Sequence, residues 1–172
     1  MNLTRRRGPH RLPRLAAIVA LCALLAACGF HLRGQTMLPF ESLYVTPGNS
    51  ALASQLKRAV ISGSSTKIVD DAKDAQATLS ILSEQPERVI LSLSVSGRIQ
   101  ELSLYYRVSF SVVDAAGKSY LAPELITLRR DLTYNDTDVI AKEQEEALLY
   151  KDMEKDAVQQ ILHRLQAARA GS

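Results

Sequence analysis

The chain has 172 residues, a formal net charge of +3 and no tryptophan. Five of its 21 Lys and Arg but none of its 18 Asp and Glu precede Cys28, so residues 28–172 carry 16 basic against 18 acidic side chains. That balance removes overall basic charge as a reason to expect a nucleic-acid partner, and an aromatic content of 5% argues against a stacking platform for sugars or bases.

Arg5, Arg6, Arg7, Arg11 and Arg14 form a basic leading region, followed by a nearly unbroken apolar run over residues 15–27. A bilayer-spanning helix needs about 20 residues, so the run is too short to span and fits the apolar region of a signal peptide. It closes on Leu25-Ala26-Ala27-Cys28, which matches the lipobox of bacterial lipoproteins. There, small residues fit the signal-peptidase cleft and the Cys thiol receives diacylglycerol before cleavage. The pair Arg5-Arg6 lacks the apolar residue that twin-arginine signals place after it, and reads as plain charge. The expected organisation is a signal peptide over 1–27, a lipidated tether over 28–39 and a single domain over 40–172. Cys22 leaves with the signal, so Cys28 is the only cysteine of the mature chain and no intramolecular disulfide can form.

Residues 41–46 read as a first strand stopped by Pro47-Gly48. Asn49 or Ser50 can cap a helix. Leu52, Leu56, Ala59 and Val60 then fall at helical spacing, with Gly63 placed as the stop. Residues 70–74 are charged and turn-like, and residues 67–69 could add a short extended piece. From Ala77 the period becomes two: residues 77–81 alternate, Pro86 interrupts, and Val89, Leu91, Leu93 and Val95 resume. This predicts one long strand, bent or bulged at Pro86 and suited to an edge. After a turn at Ser96-Gly97, Leu102, Leu104, Tyr106, Val108, Phe110 and Val112 line one face of a strand. Glu101, Ser103, Tyr105, Arg107, Ser109 and Ser111 line the other. A hairpin turn over 115–118 leads to a strand over 120–134, with Ile126, Leu128, Leu132 and Tyr134 in phase and Arg129-Arg130-Asp131 breaking the pattern. Residues 135–138 form a capping cluster. A long helix follows over about 139–168, with a stripe of Ile140, Ala147, Leu148, Met153, Ala157, Ile161, Leu162 and Leu165. The order β-α-β-β-β-α predicts an α+β fold: a four-stranded, mostly antiparallel sheet with two helices packed on one face.

No nucleophile elbow, phosphate loop, dinucleotide turn or metal-ligand cluster is present, so neither a catalytic nor a metal site is expected, and no cofactor beyond the N-acyl and S-diacylglycerol lipid on Cys28. His31 and His163, the histidines beyond the signal, are far apart in sequence. The cations carry more information. Arg98 follows a turn, Arg107, Arg129 and Arg130 lie on strands, and Lys142 sits early in a helix, where a positive charge opposes the macrodipole. Pairing with Asp138 or Glu146 would account for Lys142; so would an external anion. The Ser-rich strand face (Ser92, Ser94, Ser103, Ser109, Ser111) suits either solvent or a polar lumen.

Cys28-Gly-Phe-His-Leu-Arg-Gly34 resembles the start of the LPS-assembly lipoprotein family, LptE. The element order, the Ser-Gly turn before the long alternating strand, an Arg late in the fourth strand, and Ala141-Lys142-Glu143-Gln144-Glu145 opening the last helix extend the resemblance. It implies a non-enzymatic outer-membrane lipoprotein. Such a protein plugs and helps assemble the LptD β-barrel as a heterodimer, and binds lipopolysaccharide during insertion into the outer leaflet. The family's basic helix residue maps onto Lys142. Its second LPS-binding Arg has no identical match; Arg98 lies just past Gly97 on the other side of that turn, and Arg130 is the third candidate. Gly29 after the Cys is consistent with the outer membrane, since Asp there would suggest inner-membrane retention. The expected location is the outer membrane, lipid-anchored on the periplasmic side and inside the barrel lumen. The alternative is a periplasmic auxiliary lipoprotein of an ABC-type lipid-trafficking system. A small envelope enzyme or a peptidoglycan-associated lipoprotein lacks the motifs it would need.

Overall fold

The structure, a computed structural model, describes residues 37–46, 50–134 and 137–168. The predicted signal peptide and Cys28 lie outside them, as do most of the tether and Asn135 and Asp136 of the capping cluster.

Strand β1 (Ser42–Thr46) alternates, burying Leu43 and Val45. Helix α1 (Ala51–Gly63) begins where the Ser50 side chain accepts from the Ala53 N–H at 3.0 Å, and buries Leu52, Ala53, Leu56 and Val60. It ends at Gly63, but by other means than a left-handed glycine. Ser64 is extended, and both its N–H and its hydroxyl bond the Val60 carbonyl. The chain then returns as β2 (Lys67–Ile68), parallel to β1, and makes one 3-10 turn over Ala72–Asp74, in which the Asp71 side chain accepts from the Lys73 N–H. Three long strands follow: β3 (Ala77–Leu93), β4 (Ile99–Asp114) and β5 (Ser119–Thr133). Helix α2 (Val139–Ala167) closes the fold.

The sheet therefore has five strands, not four, in the order β2-β1-β3-β4-β5. It is mixed. β1 runs parallel to both its neighbours, because α1 carries the chain across the sheet before it returns, whereas β3, β4 and β5 form an antiparallel meander. Both hairpins use the same three-residue turn. In residues 94–98 the Gly97 N–H donates to the Ser94 carbonyl and the Ser94 N–H to the Arg98 carbonyl; Gly117, Asp114 and Lys118 repeat this in residues 114–118. Gly97 and Gly117 have φ of +80° and +83°, the conformation such a turn demands at its last position and that side chains resist.

The register settles which residues meet. The whole predicted apolar face of β4, from Leu102 to Val112, is buried, packed with Leu43, Val45, Leu79, Ile126 and Leu132 against α1 and α2. Each such fully buried aliphatic side chain contributes about 1.5–3 kcal/mol. The helices supply Leu52, Leu56, Met153, Ala157, Ile161 and Leu165. The bulge in β3 falls at Leu82, between Ile81 and Ser83, while Pro86 stays in register opposite Tyr106. Pairing with β1 stops at Ser80, so beyond it β3 is an edge, as the proline suggested.

Two helix expectations fail. Asp138 occupies the N-cap of α2 but makes no capping bond. Ile140 and Leu148, assigned to the apolar stripe, are 74% and 64% exposed. Both lie before or beside the point where α2 joins the core, which it does through Leu149, Tyr150, Met153, Ala157, Val158, Ile161, Leu162 and Leu165.

Candidate functional site

One face of the sheet carries the helices and the other is open. Tyr44, Thr78, Ser80, Ser83, Ser109, Ser111 and Thr127 fall on the open face by register, a band of hydroxyls with no second layer among the described residues. Further along, the band becomes ionic. Tyr105 pairs with Glu87 on one side and Arg129 on the other. The guanidinium carbons of Arg107 and Arg129 lie 4.8 and 5.8 Å from its ring centroid. Arg107 is ion-paired with Glu87, and Arg129 with Asp131 at 2.9 Å. Asp131 also accepts from the Ser103 hydroxyl at 2.5 Å, and this bond first, then Arg129, holds its carboxyl below the usual range. Ser103 is completely buried although it belongs to the polar face. Periodicity placed Tyr105, Arg107 and Arg129 on strands; their convergence depends on the β4–β5 register, which no single strand contains.

The three predicted ligand-binding cations are not gathered together. Arg98 closes the β3–β4 hairpin, its N–H donating to the Ser94 hydroxyl at 3.0 Å. The Tyr134 N–H donates to the Gln100 carbonyl, so β5 ends beside the base of that hairpin, and Lys142 follows within the first turns of α2. Arg98 and Lys142 therefore share one end of the sheet. Lys142 pairs with Glu145 at 2.8 Å, rather than with Asp138 or Glu146, and this ion pair answers its awkward helix position. Glu146 instead meets Arg88 at 3.3 Å. Arg130 lies opposite Leu104, six residues along β4 from Arg98 or about 20 Å. It is on the helix-facing side, where its guanidinium bonds Asp156 at 2.5 Å and approaches Asp152 at 3.5 Å.

The same end of the molecule exposes aliphatic surface. Ile90, Leu91 and Leu93 are each about half exposed, Val95 at the turn is fully so, and Val139 and Ile140 open α2 nearby. The period-two alternation of Val89, Leu91, Leu93 and Val95 would set all four on one face of the strand. Register shifts on either side of Ser92 break that face, and no strand lies beyond β3 to shelter it. The unequal strand lengths, 5 residues in β1 against 17 in β3, were the available signal that half of β3 had to be an edge.

Among the described residues no group of three or more His, Cys, Asp or Glu could hold a metal ion, and no helix is long and apolar enough to cross a membrane.

The sequence profile of the family described as "LptE: Lipopolysaccharide-assembly" matches residues 40–165, the whole folded domain from Phe40 to the last turn of α2. The chain belongs to the LptE family. Among curated LptE proteins, the LPS-assembly lipoprotein LptE of Pectobacterium atrosepticum is 30% identical over 161 residues, covering 91% of this chain and 85% of that protein. The LptE of Yersinia pestis is 29% identical over 167 residues, covering 94% and 78%. Of solved structures, an uncharacterized lipoprotein B from Nitrosomonas europaea superposes with a TM-score of 0.70 at 42% identity, covering 81% of this chain and 91% of that one. The rare lipoprotein B from Shewanella oneidensis gives 0.62 at 32% identity, covering 73% and 92%. LptE proteins are non-enzymatic lipopolysaccharide-assembly lipoproteins, and membership bears out the family resemblance read from the residues after Cys28.

Proposed function

We propose that this LptE-family protein is an outer-membrane lipoprotein, anchored through lipid on Cys28, that plugs and helps assemble the LptD β-barrel and binds lipopolysaccharide during its insertion into the outer leaflet. The observation that carries the reading is the family match over residues 40–165. The geometry supports it in two ways. A sheet covered on one side only, with hydroxyls across the other, suits enclosure in a polar lumen. An apolar, unpaired half of β3 suits coverage by a partner. Lys142 and Arg98, at one end of the sheet, are the cations placed to meet lipid phosphates together. Arg130 joins them only if its bonds to Asp152 and Asp156 are given up.

The test is a photo-crosslinking residue at Ser109, on the open face, in cells producing the full-length protein. Capture of a large outer-membrane β-barrel, with diacylglycerol recovered on Cys28, is expected. Capture of an inner-membrane permease would instead support an auxiliary role in ABC-type lipid trafficking, and absence of lipid on Cys28 would overturn the anchor.

A further inference from the structure

Arg88 of β3 pairs in register with Leu104 of β4, and Leu104 with Arg130 of β5. Residues paired in register share a face, and Leu104 is buried under the helices, so both arginines stand on the helix-covered side and flank it. Each reaches an acid of α2. Arg88 meets Glu146 at 3.3 Å, while Arg130 bonds Asp156 at 2.5 Å and approaches Asp152 at 3.5 Å. One row of the sheet thus holds α2 from both sides. One turn after Glu146, the Tyr150 hydroxyl donates to the Glu87 carbonyl at 2.9 Å, on the half of β3 that has no strand beyond it. We propose that Arg88 is a positioning residue for lipopolysaccharide binding. With Tyr150 it clasps the first turns of α2 to β3 and, on the reading of Lys142 as a phosphate contact, sets where that contact is made.

Those turns need a clasp because packing does not supply one. Within residues 139–148 only Lys142 and Glu146 are partly buried, and Asp138 makes no capping bond. Contact with the core begins at Leu149 and Tyr150. So short a helical segment is marginal without tertiary contacts. Lys142, Glu146, Tyr150 and Met153 follow at three- and four-residue spacing, so the face that buries Met153 continues into Glu146 and Lys142. Tyr150 meets Glu87 and Glu146 meets Arg88, so α2 runs opposite to β3. One turn further back, about 6 Å, brings Lys142 level with about Ile90, toward the hairpin that carries Arg98. An ion pair as open as Arg88–Glu146 shifts an equilibrium by about fivefold at most, and the Tyr150 hydrogen bond by about tenfold at most. Both act on the same unpacked segment.

The test is amide hydrogen exchange of the full-length protein in detergent, read beside its affinity for purified lipopolysaccharide by surface plasmon resonance. Tyr150→Phe, which keeps the ring and changes no charge, and Arg88→Ala should each speed exchange over residues 142–149 about threefold or more. Unaltered exchange over residues 153–165 shows that the core stays folded. Arg88→Glu should speed it further, and adding Glu146→Arg should bring it back toward the original rate. Tyr150→Phe should also weaken lipopolysaccharide binding about threefold, and should weaken it no further once Lys142→Ala is in place, because it acts through Lys142. Unchanged exchange in Tyr150→Phe and Arg88→Ala would overturn the clasp. Faster exchange with unchanged affinity, or the same loss of affinity with and without Lys142, would overturn the positioning role. Unchanged affinity in Lys142→Ala alone would instead remove Lys142 as a phosphate contact, and the positioning role with it, while faster exchange still reported the clasp.

Discussion

One ion pair and one partly buried carboxylate on α2 invite direct experiment. Lys142 is held by Glu145 at 2.8 Å, so a lipid phosphate approaching it must compete with a carboxylate already in place. Lys142→Glu should weaken lipopolysaccharide binding about tenfold or more, while Glu145→Gln should strengthen it by freeing the ammonium group. Surface plasmon resonance on both folded variants checks the pair of signs, and unchanged affinity in both removes Lys142 from the site. Glu154 offers a different measurement. Burial first, then the nearby Glu84 carboxylate, which itself accepts from the Tyr106 hydroxyl at 2.7 Å, push its carboxyl above the usual glutamate range; Gln55, Arg58 and Lys151 pull the other way. A raised pKa means the folded protein takes up this proton before the unfolded chain does. The associated stability is therefore present below the ordinary glutamate value and is lost as pH rises through the folded one. Glu154→Gln should accordingly raise Tm at neutral pH, with the gain shrinking as pH falls through the raised folded value and levelling off below the ordinary glutamate value of about 4. A gain that does not shrink would show that Glu154 is not the group responsible.

Strand β3 is the element whose two halves live differently. Its first residues are sandwiched between β1 and β4; from Leu82 onward it has β4 on one side and no strand on the other. Pro86 sits in the unsheltered half, in register with Tyr106. With no N–H to give, it leaves a gap in the row of donors that another chain would need in order to pair there. Pro86→Val should restore that row and produce concentration-dependent oligomers, visible by light scattering, from a protein that without the substitution scatters less. Equal scattering by both would show that the proline does not guard this edge. The meander itself was readable from the chain, because period-two alternation in β4 and glycine at the third turn position are local signals. The extended piece at residues 67–69 was readable too, but its pairing with β1 as a fifth strand, the placement of the bulge at Leu82 and the exposure of Ile140 and Leu148 were not, because each is decided by what lies beside the element rather than within it. The same distinction holds for the sites. Lys142 was singled out by its own helix position, whereas the Arg107–Tyr105–Arg129 stack and the row of Arg88, Leu104 and Arg130 arise only when strands come together.

The arrangement of the strands also sets an order of assembly. β3, β4 and β5 are joined by three-residue turns, so each needs only its immediate neighbour in the chain, while Leu43 of β1 must find Ala77 across the length of α1 and β2. Loop closure makes the second kind of pairing slower to form. The hairpins would thus be in place before β1 inserts, and β1 would be the last to join the sheet and the first to leave it. Amide exchange should show β1 and β2 losing protection at lower denaturant than β4, and simultaneous loss across all five strands would rule this out. With the anchor proposed on Cys28, a pull on the chain before β1 would reach its most loosely committed strand first and leave the meander intact.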